Sequence, residues 1–440
     1  MVEPATHPDE HAGETPGIHS ANFRFPAGFF WGSATAAQQV EGGITNNDWS
    51  DWESAGRVAE ASGRAAEHFE RYGEDFDLAR SLGHSAYRFS LEWSRIEPEE
   101  GRFDPEALAH YRRMLEALHA RGITPVVTIL HYTLPRWAAA QGGWESPQFE
   151  TWFERYATRV AAEYRDLVRW WVTLNEPVVQ VFKGWMLGQW PPGKVNDFPN
   201  GLQVFRRMLR AHVRAFHAIH AARPDAMVSV AKHSLIFTPC NPKRLLDRIS
   251  TKLRHYLFNN LFLDALHKGV LRVPGLFWER LPFGRTLDYV GVNYYTRDFV
   301  RNTGLDFAGM LGYVCTLEHH SHIGKRNAIG WEMYPEGLAR ILADDRKYGL
   351  PILITENGTA VDDDEDRWTF LLLHLWQVAR AIDEGAPVVG YLYWSLLDNY
   401  EWADGFRPRF GLLGVDYETQ RRTVRPSGLK LKALIDRGEI

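Results

Sequence analysis

The sequence predicts an α/β protein built as a single (β/α)8 barrel, a TIM barrel with its active site at the C-terminal ends of the strands. Three observations lead there. Eight short apolar runs recur along the 440 residues, several of them apolar at both parities, as parallel strands covered on both faces must be. Amphipathic helical patterns separate the runs. Beyond residue 20 no Ser/Gly linker, charge block or shift of composition divides the chain, so residues 21–440 read as one domain. A doubly wound open sheet would carry a glycine-rich phosphate loop after its first strand. None is present. The nearest approach, Gly188 to Val195, lacks the final Ser/Thr and holds two prolines where backbone N–H groups are needed, so it reads as a rigid surface loop.

Taken in order, residues 1–20 are polar and acidic, with proline and glycine, and read as a disordered tail; they lack the basic start and apolar core of a secretory signal. The candidate strands follow: Phe29–Thr35, Ala86–Ser90, Thr124–His131, Trp170–Asn175, Met227–Ala231, Asp288–Asn293, Ile352–Thr355 and Val388–Trp394. Between them, Leu108, Tyr111, Leu115 and Leu118 form a helical stripe that Gly122 should end. Phe205, Leu209, His212, Val213, Phe216 and Ile219 form another.

In a barrel the loops after the strands build the active site. The strand ends here carry Arg88, His131, Asn175-Glu176-Pro177, Asn293-Tyr294-Tyr295, Thr355-Glu356-Asn357-Gly358 and Trp394, polar groups above apolar strand bodies. Pro177 biases Glu176 toward extended backbone, and Asn357-Gly358 signals a turn after Glu356. Strands four and seven lie on opposite sides of an eight-stranded barrel, so Glu176 and Glu356 can face each other across its mouth. Glycoside hydrolysis asks for such a pair, one carboxylate as nucleophile or base and one carboxylic acid as proton donor.

At these residues the chain resembles glycoside hydrolase family 1, the β-glucosidase family. Thr173-Leu-Asn-Glu-Pro177 and Ile354-Thr-Glu-Asn-Gly358 look like its paired signatures. Phe25 to Gly42, Tyr87-Arg-Phe-Ser90, Gly291-Val-Asn-Tyr-Tyr295 and Tyr393 to Trp402 match its other motifs in order, so the likeness covers nearly everything after residue 22. The resemblance implies a retaining β-glucosidase that removes terminal β-D-glucosyl residues by two displacements, with Glu356 as nucleophile and Glu176 as acid/base. Side activity on β-galactosides or β-fucosides, and transglycosylation, fall within the same expectation. Arg88 and Tyr295 would hold Glu356 ionised, and the nearby charge would raise the Glu176 pKa so that it starts protonated. Asn175 would bond the sugar 2-hydroxyl. Gln39, His131, Asn293, Glu401 and Trp402 would line the sugar site, with Trp394 as the platform beneath the ring and Trp331 as the leaving-group wall. A carboxylate at Glu401 would repel a 6-phosphate and so favours an unphosphorylated sugar. Two departures, Gln38 for the usual Tyr and Tyr132-Thr133 for the common Trp-Asp, leave open the choice among gluco-, galacto- and fuco-configured sugars.

Composition narrows the partners. Fifty basic against 55 acidic residues leave no basic excess for nucleic acid. No apolar run reaches the ~18–20 residues that cross a bilayer. Cys240 and Cys315, far apart in sequence, make neither a disulfide framework nor a zinc ribbon, and a cytoplasmic location is expected. No cofactor and no metal are expected: the stretch Glu318 to His322 fits no common ligand spacing and reads as an entry loop. The acidic run Asp362–Asp366 reads as a solvated loop. Of the 17 Trp, Trp170 and Trp171 are expected in the core.

Overall fold

The computed structural model describes residues 23–273, 277–315, 320 and 324–440. The N-terminal tail and, apart from His320, the Glu318 to His322 stretch lie outside the described residues. Eight parallel strands close into a barrel: β1 (Phe30–Ala34), β2 (Ala86–Ser90), β3 (Thr124–Leu130), β4 (Trp170–Asn175), β5 (Met227–Pro239), β6 (Val290–Arg301), β7 (Ile352–Asn357) and β8 (Val388–Trp394). Each pairs with its sequence neighbours, and β8 returns to β1, Phe30 opposite Gly390 and Ala34 opposite Trp394. Positions in β2, β4 and β7 are buried without exception, which is why apolar residues occupy both parities of these strands.

Side chains from successive strands, Ala86, Val126, Trp170, Val172, Ala231, Tyr289, Leu353 and Leu392, pack together as one buried cluster in the barrel interior. Trp171 points the other way, into the apolar layer between strands and helices. Both tryptophans are core residues, as the sequence suggests. The helix Pro105–Ala120 buries Leu108, Tyr111, Leu115 and Leu118; Asp104 caps its start, and Gly122 follows its end at φ +67°. The helix Phe198–Ala222 buries Phe205, Leu209, His212, Val213 and Ile219.

Four sequence readings change. β5 and β6 run well beyond their predicted ends and stay paired up to Pro239 opposite Val300, raising a wall above the barrel mouth. The extension mixes Lys, His, Arg and Asp with apolar residues, so no apolar run marks it. The acidic run is not a loop: Asp363 caps the helix Asp364–Asp383, whose first turn holds Asp364, Glu365 and Asp366, the favourable end of the helix dipole for negative charge. The Gly188–Val195 segment is not confined to the surface, because Trp190 turns inward and is buried against Tyr132 and Trp402. Finally, the wall brings the two cysteines together. Cys240 N donates to Val300 O and Cys315 N to Phe299 O, leaving the sulfurs 2.7 Å apart with His320 beside them. Among the described residues no helix is long and apolar enough to cross a membrane.

Candidate active site

Glu356 stands at the end of β7 with both carboxylate oxygens occupied. Arg88 NH1, from β2, donates to Oε1 at 2.5 Å, and the Tyr295 hydroxyl, from β6, donates to Oε2 at 2.5 Å. The Arg88 guanidinium is itself fully buried and spread over four acceptors, reaching also Thr355 O at 3.3 Å, Asn175 Oδ1 at 2.7 Å and Thr128 Oγ1 at 2.9 Å. Its orientation is therefore fixed before any ligand arrives. Gly358 permits the close approach of β7 to β8 just above Glu356: a Cβ there would meet Trp394 O at 1.7 Å.

Glu176 sits across the mouth at the end of β4. Its backbone is not extended but left-handed, φ 42° and ψ 56°, because the chain turns at once into the short helix Pro177–Val181. Three donors hold its carboxyl: Tyr132 OH on Oε2 at 2.5 Å, and Asn293 Nδ2 at 2.8 Å and His233 Nδ1 at 3.0 Å on Oε1. Asn293 is in turn fixed by Thr355 Oγ1, which donates to its Oδ1 at 2.6 Å. Burial and the hydrogen-bond partners oppose each other at both carboxyls. Burial pushes the Glu356 carboxyl up and the Glu176 charge adds to this, against the pull of Arg88 and Tyr295. Burial also pushes Glu176 up, but its interaction with the His233 ring, with the Tyr132 and Asn293 hydrogen bonds, outweighs it, and the net direction is down. His233 was missed because β5 seemed to stop at Ala231. Lys232-His233, two ionisable groups at a strand end, meets the criterion that singled out the other site residues.

Between the carboxylates opens a cavity of about 250 Å³. Ten of the twelve residues singled out from sequence line it; Arg88 and Asn293 stand behind it, gripping the carboxylates. Asn175 Nδ2 donates to His131 Nε2 at 3.2 Å, which leaves the His131 proton on Nδ1, a buried donor with no partner among the described residues. Gln39 donates from Nε2 to Tyr400 O at 2.8 Å and to Glu401 Oε2 at 3.3 Å, while its buried Oε1 likewise has no partner among them. A donor and an acceptor stranded in one cavity cost free energy unless a polar ligand satisfies them. Burial raises Glu401 to about 8, although Asn399 donates to it at 3.3 Å and Lys183 lies nearby. Trp394, His131 and Trp402 stack with their planes within 16°, and Trp331 leans on Tyr295 at 5.3 Å. Of the two departures, Tyr132 reaches the site directly, while Gln38 bonds Ser62 and Asn47 and does not line the cavity. On the far side Leu235, Phe237, Phe258 and Val314 make an apolar wall interrupted by Arg254 and Asp298.

The sequence pattern of glycosyl hydrolase family 1 matches residues 21–273 and 279–440. The chain belongs to glycosyl hydrolase family 1. Among similar family 1 proteins, Beta-glucosidase A of Thermotoga maritima is 35% identical over 438 residues, covering 92% of this chain and 96% of that protein. A Beta-galactosidase of Pyrococcus woesei is 30% identical over 489 residues, covering 92% and 96%. Among solved structures, a beta-glycosidase from Pyrococcus horikoshii superposes with a TM-score of 0.89 at 38% identity over 96% of each chain. A Thermotoga maritima beta-glucosidase in complex with glucoimidazole gives a TM-score of 0.87 at 33% identity, covering 94% of this chain and 99% of that one. The family match includes the β5 and β6 segments that form the wall above the barrel mouth.

Proposed function

We propose that this family 1 chain is a retaining β-glucosidase that cleaves small β-D-glucosides by double displacement, with Glu356 as nucleophile and Glu176 as acid/base. The observation that carries the assignment is the difference between the carboxylates' partners. Glu356 is held on both oxygens by a buried guanidinium that cannot lose its proton and by a phenol, so one fixed oxygen can attack the anomeric carbon. Glu176 is also held by a phenol, but in place of a guanidinium it has the His233 imidazole, which can exchange a proton, as suits a residue that donates one and later takes one back. Asn175, fixed by Arg88, would meet the 2-hydroxyl. His131 Nδ1 would donate to a sugar hydroxyl, Gln39 Oε1 and Glu401 would accept from others, and Trp394 would lie under the ring. The relatives' names include both β-glucosidase and β-galactosidase, so both sugar configurations belong in the assay.

Trapping tests the reading. A 2-deoxy-2-fluoro-β-glucosyl fluoride should inactivate the protein with one sugar per chain, and the labelled peptide should carry it on Glu356. A label elsewhere would refute the assignment. Proton NMR of an aryl β-glucoside should show β-glucose before α-glucose; the reverse order would exclude double displacement.

A further inference from the structure

Resting on the acid/base reading of Glu176, we infer that His233 is a positioning residue that shares the catalytic proton with Glu176, the two acting as one proton-holding pair. His233 follows the core of β5, opposite Asn293 of β6, and is 8% exposed. Its ring plane is fixed between the edge-on ring of Phe258, centroids 5.9 Å apart, and the face of Tyr295 at 5.7 Å and 21°. That packing aims Nδ1 at Glu176 Oε1, 3.0 Å away. The ionisable groups facing it are Glu176 at the end of β4, Tyr295 and Asp298 on β6, and Lys232 beside it on β5, whose ammonium donates to the His233 carbonyl; Arg254 stands beyond Asp298. Of these only Glu176 is hydrogen-bonded to the ring.

An Nδ1 in this place can give or take a proton without moving a heavy atom. In the first displacement the Nδ1–H bond breaks, its electron pair stays on the imidazole, and the proton passes to Oε1 of Glu176. Glu176 delivers a proton to the glycosidic oxygen as the bond from that oxygen to the anomeric carbon breaks and Glu356 bonds the carbon. In the second displacement a water proton returns to Glu176 and on to Nδ1 while the hydroxyl replaces Glu356. An ordinary acid/base carboxyl must be protonated before substrate binds. Here the pair needs only one proton between its two members, so the competent state extends to higher pH than a lone carboxyl would allow.

Two measurements test this. In the full chain labelled with 15N-histidine, the His233 imidazole signal, identified by its loss in His233→Asn, is followed against pH in wild type and in Glu176→Gln. The imidazole should hold its second proton at least about one pH unit higher in wild type, a tenfold difference in proton affinity; identical titrations would overturn the inference. This readout needs no turnover, so it stands or falls apart from the glycosidase reading, which wild-type hydrolysis of an aryl β-glucoside tests. The second measurement is the pH dependence of kcat/KM. His233→Asn, which keeps a hydrogen-bond donor but cannot titrate, should bring the alkaline limb down by about a unit for glucosides with poor leaving groups and spare activated aryl glucosides at their optimum. An unmoved limb, or equal losses on both substrates in a variant that melts like wild type, would reduce His233 to a structural role and overturn the inference.

Discussion

Replacing Arg88 with lysine keeps a positive charge and removes the geometry. The guanidinium serves Glu356 Oε1, Thr355 O, Asn175 Oδ1 and Thr128 Oγ1 from one planar fork that is wholly buried. A lysine ammonium is a single point on a flexible stem and cannot span those directions. If it retreats from Glu356, the charge-assisted bond lost is worth about 1.5–3 kcal/mol. At about 1.4 kcal/mol per pKa unit, that raises the Glu356 carboxyl by about one to two units. Burial already pushes this carboxyl up, so the shift adds to an existing bias. The nucleophile must be ionised, and activity is lost as pH falls through its pKa. The acid limb of kcat/KM in Arg88→Lys should therefore move up by about one to two pH units, and below the limb the rate should fall about 10- to 100-fold beyond any uniform loss. The Arg88 bond to Thr128 Oγ1 would be lost and Asn175 Oδ1 left with only Asn293 Nδ2 at 3.3 Å, at about 1 kcal/mol each, so the melting temperature should drop. The assay is kcat/KM on an aryl β-glucoside from acid to alkaline pH, with circular dichroism to confirm the fold. An acid limb that stays in place, or moves down, would refute the claim that Arg88 is what holds Glu356 ionised.

Three other outcomes follow from the same contacts. Glu176→Gln should lose about 10²–10⁴-fold on glucosides with poor leaving groups and far less on activated aryl glucosides in pre-steady-state release of the aryl group, since only the former need a proton; equal losses would count against the acid role. Tyr132→Phe removes the 2.5 Å bond to Glu176 Oε2 that favours its charged form, so the alkaline limb of kcat/KM should move up, opposite in direction to His233→Asn. Glu401→Ser should lower kcat/KM on glucosides by about 2- to 10-fold for each sugar hydrogen bond lost, the worth of a bond to a neutral group. It should also change stability in a pH-dependent way. A carboxyl raised to about 8 favours folding only below its ordinary pKa of 4.5, and that contribution is lost as pH rises to about 8, so the melting temperature of the serine variant should gain on wild type across that range.

The strand cores and the carboxylate pair were legible because both follow from local rules. A strand buried on both faces must be apolar throughout, and a polar residue at its C-terminal end must face the barrel mouth, so Arg88, Glu176, Tyr295 and Glu356 fell into place. What the sequence hid depends on contacts between distant segments. The β5 and β6 extensions mix charged, polar and short apolar stretches, so neither their length nor the meeting of Cys240 with Cys315 shows in the sequence pattern. Trp190 looked like loop because Pro191 and Pro192 follow it, yet it lines the pocket against Tyr132 and Trp402. Extended backbone was expected for Glu176 from the following proline. The tight entry into the Pro177–Val181 helix imposed the left-handed conformation instead.

The partners of the two carboxyls bear most directly on how protons would move in the site. A cation beside Glu356 and a neighbouring charge beside Glu176 were expected to separate the two pKa values. The structure supplies a second basic group, and it sits beside the other carboxyl. For the proposed double displacement the two partners then differ in kind. Arg88 keeps its proton at any working pH, so it can stabilise the Glu356 charge but never relay a proton. The His233 imidazole has a ring nitrogen that can hold or release a proton, so it can do both. A nucleophile should remain one species until it attacks, whereas an acid/base must change species twice in each cycle. A fixed cation on β2 and an exchangeable base on β5 meet those two requirements separately. The roles of Glu176 and Glu356 would thus be set as much by which neighbour can let go of a proton as by their distance from the sugar.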